Sequence, residues 1–357
     1  MKKTVTLIFL LFAPAGSFAE SYGGSSSMFL SDDPSATGFS AGGLALPLYD
    51  DPGAAYVNPG LLGRMGRSAA SLSFWKGVDG ISNYAFLSGI LKTEDYGAFS
   101  LSCLGYSSGE EEIYDINGSA SDLTLQKDYA VSAGWGRSFQ ENISFGLKVK
   151  NVNSELAEEY SANAFAFDLG VALKVDKELS AAISVENLNG KLKYKSAEEP
   201  LPRNVRFEMA QNIQFRHGAL NAGIGIKKET GEEYLNFMGG AEWLFKSLPL
   251  ALRGGLRSEK EGLAFNAGLG IMWKQFSLVY GMQFPERLGN SAQRITLSFH
   301  FDDASGAAVS KKPKKEKSGW EKKKPSRKTE KKKSGKKEKE DKGKSGEYWD
   351  GWFIMPQ

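Results

Sequence analysis

The side chains best suited to acid–base, nucleophilic or metal chemistry are few in this 357-residue chain. It holds two histidines, His217 and His300, and one cysteine, Cys103. Catalysis needs such a group beside a reacting partner, and a metal site needs several ligands at set spacings. Neither histidine lies in a nucleophile motif or in metal-ligand spacing. The sequence therefore predicts no enzyme, no catalytic residue, no metal site and no cofactor.

Other reactive groups have simpler explanations. The acidic run Glu110–Glu112 could bind a cation, but such runs are usually just solvated. Cys103 alternates with Phe99 and Leu101, so we expect it to face lipid as a small apolar side chain. As the only cysteine it excludes an intramolecular disulfide.

The first nineteen residues predict export. Lys2 and Lys3 precede the apolar run Thr6–Ala13, and Ser17-Phe18-Ala19 has the small-x-small pattern of a signal-peptidase site. The run is shorter than the roughly 20 apolar residues of a membrane anchor, so we expect a mature chain beginning at Glu20. No later stretch has that length either. If the mature protein enters a membrane, only a closed barrel can satisfy its backbone there; a soluble exported protein is the alternative.

Alternation of apolar and polar residues recurs from Ser68 to Phe301. In the last stretch Ile295, Leu297 and Phe299 alternate with Thr296 and Ser298, which separates an apolar face from a polar one. Many positions of the polar face are glycine or serine, as expected for a narrow or partly filled lumen. Fourteen such segments are predicted, near 68–76, 81–92, 96–106, 127–138, 141–152, 161–175, 178–187, 203–215, 218–228, 233–245, 248–257, 262–273, 275–284 and 292–301.

Connection lengths favour a membrane barrel over a soluble β-sandwich, which alternation alone leaves open. Connections after even-numbered strands are short, whereas residues 107–126, 153–160 and 188–202 form long polar connections after odd-numbered strands. This is the arrangement of outer-membrane barrels, with short periplasmic turns and long extracellular loops. The even count places both termini in the periplasm, His217 on a turn and His300 on the lumen face. Aromatic residues near strand ends predict an interfacial girdle: Trp75, Tyr84, Tyr96, Tyr106, Tyr129, Trp243, Phe245, Trp273 and Phe284.

Residues 20–67 are rich in Gly, Ser, Ala and Pro, and predict an irregular segment with one short helix. Its core reads Asp50-Asp51-Pro52-Gly53-Ala54-Ala55-Tyr56-Val57-Asn58-Pro59-Gly60. With residues 161–170, 184–188 and 199–202, this core resembles the PorV/PorQ family of outer-membrane barrels, which is related to the FadL-type transporters. Members usually carry alanine after Asn-Pro, where this chain has Gly60.

The resemblance covers about residues 38–301 and implies an all-β barrel of about fourteen antiparallel strands at 68–301. It also implies that residues 20–67 plug the lumen as a hatch, with Asp50, Asp51, Asn58, Pro59 and Gly60 as candidate hatch residues. A tight turn leading into the first strand is an equally simple explanation of Asn58-Pro59-Gly60. Two functions follow from the resemblance: passage of hydrophobic small molecules, or service in a protein secretion or surface-attachment complex of the type IX kind.

Residues 302–357 form a second module. Residues 311–350 hold 18 Lys and Arg against 8 Asp and Glu, whereas the rest of the chain holds 27 against 34. Such a composition predicts disorder and attraction to anionic lipid or an anionic periplasmic polymer. Nucleic acid is not expected as a partner of an exported barrel. An alternative function is that of a structural protein which its basic tail tethers to the cell wall. A further alternative is that the aromatic residues at the end of the tail dock into a partner protein: Tyr348, Trp349, Trp352 and Phe353.

Overall fold

The computed structural model describes residues 27–46, 50–77, 79–114, 118–140, 142–195, 198–230, 232, 234–259, 262–285 and 291–301. The predicted signal peptide at residues 1–19 and the predicted tail at 302–357, with its four aromatic candidates, lie outside the described residues.

Fourteen antiparallel strands form a closed barrel. Each wall strand pairs with the next wall strand along the chain, and the first pairs with the last from Ala69 opposite His300 to Trp75 opposite Arg294. The prediction of a fourteen-stranded barrel is confirmed. The wall strands are β1 Ala69–Lys76, β2 Asn83–Thr93, β3 Gly97–Ser107, β6 Gln126–Phe139, β7 Ile143–Leu156, β8 Tyr160–Lys174, β9 Leu179–Leu188, β12 Asn204–Gln214, β13 Gly218–Glu229, β14 Asn236–Phe245, β15 Leu250–Glu259, β16 Gly262–Trp273, β17 Phe276–Pro285 and β18 Ala292–His300.

Side chains alternate between the lumen and the outer surface along each wall strand. On β18, Arg294, Thr296 and His300 are buried, whereas Ile295 and Leu297 are 43% and 47% exposed. An exposed apolar band around a closed sheet is stable against hydrocarbon rather than water. The polar face predicted from the sequence is the lumen face.

Most of the expected girdle lies on the outer surface, for example Tyr96 at 68% and Trp273 at 67% exposure. The expectation was wrong for Trp75, Tyr84 and Tyr106. These three lie at lumen-facing positions of β1, β2 and β3, Trp75 is only 5% exposed, and the other two pack against the buried apolar core. A side chain near a strand end faces lipid only if it has the outward phase of the alternation.

Two rims differ in their connections. The rim that holds Ala69 and His300 carries the connections of two to four residues, such as 94–96 and 274–275, and we call it the turn rim. The opposite rim, the loop rim, carries the long connections, 108–125 and 189–203, together with shorter ones such as 157–159. Within the long connections lie two hairpins, one of β4 Glu110–Tyr114 and β5 Ala120–Thr124, the other of β10 Lys191–Lys193 and β11 Glu198–Pro200.

One predicted long connection was wrong. Strand β7 continues to Leu156 and β8 begins at Tyr160, so most of residues 153–160 belongs to the wall. The polar residues Asn151, Asn153 and Asn163 hydrogen-bond to one another across the two strands. Cross-strand amide pairs stabilise a ladder without an apolar face, and a hydrophobic period does not detect them.

Residues 27–67, here called the lumen segment, contain two short α-helices where one was expected. These are α1 Ala36–Ser40 and α2 Pro52–Val57, and 3-10 helices span Met28–Ser31 and Pro59–Arg64. Pro52 and Pro59 each begin a helix, where a missing N–H leaves no bond unmade. Among the described residues, no helix has the length and apolar character needed to span a membrane.

Candidate functional site in the barrel lumen

Asp51 joins the two α-helices of the lumen segment. Its Oδ1 accepts a hydrogen bond from the Gly53 amide at 3.1 Å, and its Oδ2 accepts one from Ser35 Oγ at 2.6 Å. Ser35 in turn caps α1 through the Gly38 amide at 3.2 Å. Burial raises the pKa of Asp51, and the Ser35 hydroxyl and the Gly53 amide act in the opposite direction. Asp51 therefore fixes the two helix starts against each other.

Asn58 and Gly60 fix the lumen segment to the wall. Asn58 Oδ1 accepts from the Gly60 amide at 2.9 Å and caps the second 3-10 helix, while Nδ2 donates to the Ile183 carbonyl at 3.3 Å. A Cβ on Gly60 would lie 2.8 Å from the backbone of Gly170 and Val171. The alanine that usually follows Asn-Pro in the resembling family would thus need the wall to shift here.

Asp50 and Pro59 complete the predicted motif. Asp50 Oδ1 accepts from the Gly66 amide at 2.7 Å, and its backbone oxygen lies 3.2 Å from His300 Nε2. Pro59 lies against wall glycines, and a Cβ on Gly146 would be 2.0 Å from the Pro59 carbonyl oxygen. The contacts of the five motif residues hold the lumen segment within itself and against the wall.

A buried ion cluster lies beside α2. Asp168 Oδ2 is 2.9 Å from both Lys148 Nζ and Lys150 Nζ, and all three side chains are at most 1% exposed. Lys148 also donates to the Tyr56 carbonyl, and its Nζ lies 3.8 Å from the centre of the Tyr56 ring. Asp168 Oδ1 accepts from the Asn187 amide at 2.8 Å. One carboxylate thus lies between two ammonium groups, one of which binds the lumen segment.

A second ion cluster binds the start of the lumen segment. Asp33 lies 2.9 Å from Arg257 and 3.8 Å from Arg206. Burial opposes ionisation of Asp33, but the two guanidinium groups hold the pKa of that carboxyl below its usual value. Arg206 also donates to the Gly43 carbonyl at 2.5 Å and lies 3.3 Å from Glu208. Two arginines of the wall therefore pair with one carboxylate of the lumen segment.

Arg294 forms a third contact of this kind. Its guanidinium lies 2.9 Å from Asp32 and stacks 4.0 Å from the ring centre of Trp75 and 4.3 Å from that of Phe39. Trp75 Nε1 donates to the same Asp32 carboxylate at 2.9 Å. Buried cations in apolar surroundings need this degree of pairing to remain charged.

An apolar core lies in the lumen on the loop-rim side of the Asp168 cluster. Tyr56 packs edge-on against Phe86 with ring centres 5.1 Å apart. Leu192 and Leu201, from the connection between β9 and β12, are at most 3% exposed in the same core. The core therefore joins the lumen segment, the wall and a loop-rim connection.

An open groove of about 870 Å³ lies beside this core at the loop rim, and it extends over the rim to outward-facing residues such as Phe74 and Tyr280. Its inward-facing lining includes Trp75, Tyr84 and Tyr106, whose successive ring centres are 4.9 Å apart. Lys76, Asp128 and Arg294 supply the charged part of the lining. An aromatic wall with few polar groups suits an apolar or amphipathic small molecule.

The ion clusters were not identified as site residues from the sequence. The signal was present, because Lys148, Lys150 and Asp168 occupy polar phases of apolar alternating strands, and ionisable residues at such positions must be paired. Of the other candidates, Cys103 lies on the outer surface as expected, and the strand β4, which contains Glu110–Glu112, is exposed. Among the described residues, no group of three or more His, Cys, Asp or Glu is arranged to hold a metal.

The fold resembles solved outer-membrane transporters. The toluene transporter TbuX of Ralstonia pickettii superposes with a TM-score of 0.53 at 13% identity, over 75% of this chain and 98% of that one. The toluene transporter TodX of Pseudomonas putida (0.50, 13%, over 74% and 96%) and a FadL homologue of Pseudomonas aeruginosa (0.50, 13%, over 75% and 98%) are similar to it in the same way. At this identity the likeness shows the fold.

Sequence comparison gives the family. The model described as type IX secretion system membrane protein PorP/SprF matches residues 54–300, from within α2 to the end of β18. A search of curated proteins found no match. This match confirms the expected relation to outer-membrane barrels of type IX secretion systems. The finer assignment to PorV/PorQ stays a prediction. With its closed wall and exposed apolar band, the chain is a bacterial outer-membrane β-barrel with a transport or secretion role, and it belongs to the PorP/SprF family of type IX secretion system membrane proteins.

Proposed function

We propose that this barrel serves the type IX secretion system as a closed binding component, which contacts secretion-system or exported proteins rather than passing solutes through its lumen. The filled lumen is the observation that carries the proposal. Two helices, three sets of buried ion pairs and an apolar core occupy the space that a diffusing solute would need.

Opening such a lumen requires separating paired charges. Moving the lumen segment away leaves Arg257 without Asp33 and Arg294 without Asp32. Both pairs have a separation of 2.9 Å, so displacement of the segment breaks them at the same time. Spontaneous opening is therefore rare, and a barrel of this kind is better suited to holding a partner than to free diffusion.

The proposed orientation places the turn rim in the periplasm and the loop rim outside the cell, as connection lengths favour. The exposed hairpin of β4 and β5 then faces exported proteins. Protease added to intact cells tests this orientation. Cleavage within residues 108–125 is expected, and cleavage in the turn at 274–275 instead would reverse it.

Purification of the full chain from detergent-solubilised outer membrane, with and without residues 303–357, tests the proposed function. Co-purification of secretion-system proteins with the full chain, together with no conductance in planar bilayers, is the expected result. Recovery of the barrel alone from both forms, with steady conductance or uptake of a labelled fatty acid into liposomes, would replace secretion by transport.

Carriage of hydrophobic molecules is the second candidate, and the loop-rim groove favours it. Trp75, Tyr84 and Tyr106 present aromatic surface to a space of about 870 Å³, and two of the similar structures are named toluene transporters. Toluene binding measured by quenching of tryptophan fluorescence tests it. Loss of quenching in Tyr84→Ala would support this candidate, and equal quenching in both proteins would remove the groove as the binding place.

The tail gives a third element of the proposal. Residues 311–350 are strongly basic by sequence, and we propose that they hold the barrel to an anionic periplasmic polymer. Co-sedimentation with purified peptidoglycan is expected for the full chain and not for the form lacking residues 303–357. Equal sedimentation of the two forms would exclude the tether.

A further inference from the structure

Three neighbouring turns of the turn rim carry basic side chains and no acidic ones. They join β12 to β13, β14 to β15 and β16 to β17, and they hold Arg216, Lys246 and Lys274. These six strands follow one another around the barrel. Since neighbouring strands are about 4.8 Å apart, neighbouring turns lie roughly 10 Å apart. We call these turns, residues 215–217, 246–249 and 274–275, the basic arc.

Two other turns of the same rim differ in charge, and one of them, between β8 and β9, adjoins the basic arc. The turn between β2 and β3 holds Glu94 and Asp95, and the turn between β8 and β9 holds Asp176, Lys177 and Glu178. The turns of the basic arc therefore carry a net positive charge, whereas these two turns carry a net negative charge. A uniform rim would need no explanation beyond solubility, whereas a segregated one favours a partner of opposite sign on the basic side.

Apolar side chains stand beside the basic ones at the level of the strand ends. Phe215 is 44% exposed, Leu248 48% and Trp273 67%. Lys274 Nζ lies 5.5 Å from the ring centre of Trp273, and Lys246 Nζ donates to the Phe215 carbonyl at 2.8 Å. Exposed aromatics at a barrel rim mark the membrane interface, so these ammonium groups lie at the depth of lipid headgroups.

Counter-charges from the protein do not account for the arc. Within the described part of the chain, no carboxylate lies at ion-pair distance from Arg216, Lys246 or Lys274. We propose that the basic arc binds the phosphate headgroups of anionic phospholipids in the leaflet at the turn rim. The aromatic side chains and Leu248 contact the first part of the acyl chains of the same lipids.

The number of basic residues in the arc gives the size of the expected preference for anionic lipid. A basic residue near an anionic membrane surface contributes about fivefold to binding. Three of them give a preference for anionic over zwitterionic lipid on the order of a hundredfold at low salt, and screening reduces it as ionic strength rises. The inference depends on the barrel crossing a membrane and is independent of whether it serves secretion or transport.

Fluorescence quenching of Trp273 tests the proposal. The full chain is reconstituted in phosphatidylcholine bilayers that contain the same fraction of either brominated phosphatidylglycerol or brominated phosphatidylcholine. Subtracting the signal of Trp273→Phe isolates the tryptophan of the arc. We expect stronger quenching by brominated phosphatidylglycerol, and a much smaller difference between the two lipids in the triple variant Arg216→Gln, Lys246→Gln, Lys274→Gln, which keeps the basic tail.

A matched control removes three exposed lysines from the loop rim: Lys127→Gln, Lys191→Gln and Lys193→Gln. This control loses the same charge and keeps the basic tail, so it should retain the preference of the unaltered chain. Raising the salt concentration should weaken the preference in the unaltered chain, which tests the proposal without any substitution. Equal quenching by both lipids in the unaltered chain, or a preference as large in the triple variant as in the loop-rim control, would overturn it.

Discussion

Gly146→Ala should loosen the lumen segment while leaving the strand pattern of the wall intact. Gly146 faces the lumen on β7, and a Cβ there would lie 2.0 Å from the Pro59 carbonyl oxygen and 2.2 Å from its carbon. Ordinary contact begins near 3.4 Å, so the two backbones must separate by about 1.4 Å. Overpacking of this kind lowers the free energy of unfolding by about 1–3 kcal/mol. Replacing glycine by alanine raises it by about 0.4–1 kcal/mol, because alanine restricts the unfolded chain more than glycine does. A net loss of roughly 1–2 kcal/mol is expected.

Urea unfolding in lipid vesicles measures this loss, and planar-bilayer recording measures the opening. Gly89→Ala is the matched control, because a Cβ at Gly89 on β2 meets nothing within 4 Å. The control should be as stable as the unaltered chain or slightly more stable, and it should stay closed. Gly146→Ala should unfold at lower urea and show brief conductance steps. Equal stability of the two variants would refute the packing of the lumen segment against this glycine.

Three further predictions concern the lumen and the tail. Asp168→Leu leaves Lys148 and Lys150 buried without their carboxylate and should destabilise the barrel by about 3–5 kcal/mol. Adding Lys148→Met and Lys150→Met should recover most of that loss. Urea unfolding distinguishes the single variant from the triple variant. Because burial raises the pKa of Asp51 above its usual 3.8, its protonated form favours the folded state, so stability should fall as pH rises through the raised pKa. Asp51→Asn should flatten that dependence, and an unchanged pH profile would contradict the burial of the carboxyl. Deleting residues 303–357 should leave the unfolding midpoint unchanged, and a lower midpoint would show that the tail stabilises the barrel.

The wall was predictable because its determinants are local. Every predicted segment coincides with a wall strand to within a few residues, since an apolar period of two is imposed by the lipid outside and a polar lumen inside. Connection lengths were less reliable. The stretch 153–160 is polar on both faces, so its pairing in β7 and β8 had no hydrophobic signal to reveal it.

The motif around Asp50 and Gly60 was recognised from its residues, but its contacts were not foreseen. Asp51 and Asn58 are helix caps, which a local pattern can suggest. That Gly60 lies against the backbone of Gly170, on a strand more than a hundred residues away, depends on how the segment enters the barrel. The aromatic residues Trp75 and Tyr84 show the same limit, because strand phase decided whether they face lipid or lumen.

The outer-membrane barrel of fourteen alternating strands, and the glycine-rich segment before it, were predictable from the sequence. Which buried charges meet, such as Asp33 with Arg257, which are 224 positions apart, became evident only in the folded chain. The two kinds of interaction differ in their range along the chain. The pattern of a strand follows from residues two positions apart. Ion pairing in the lumen requires the wall to close and the lumen segment to lie inside it. Both events must occur before the charges lose their water.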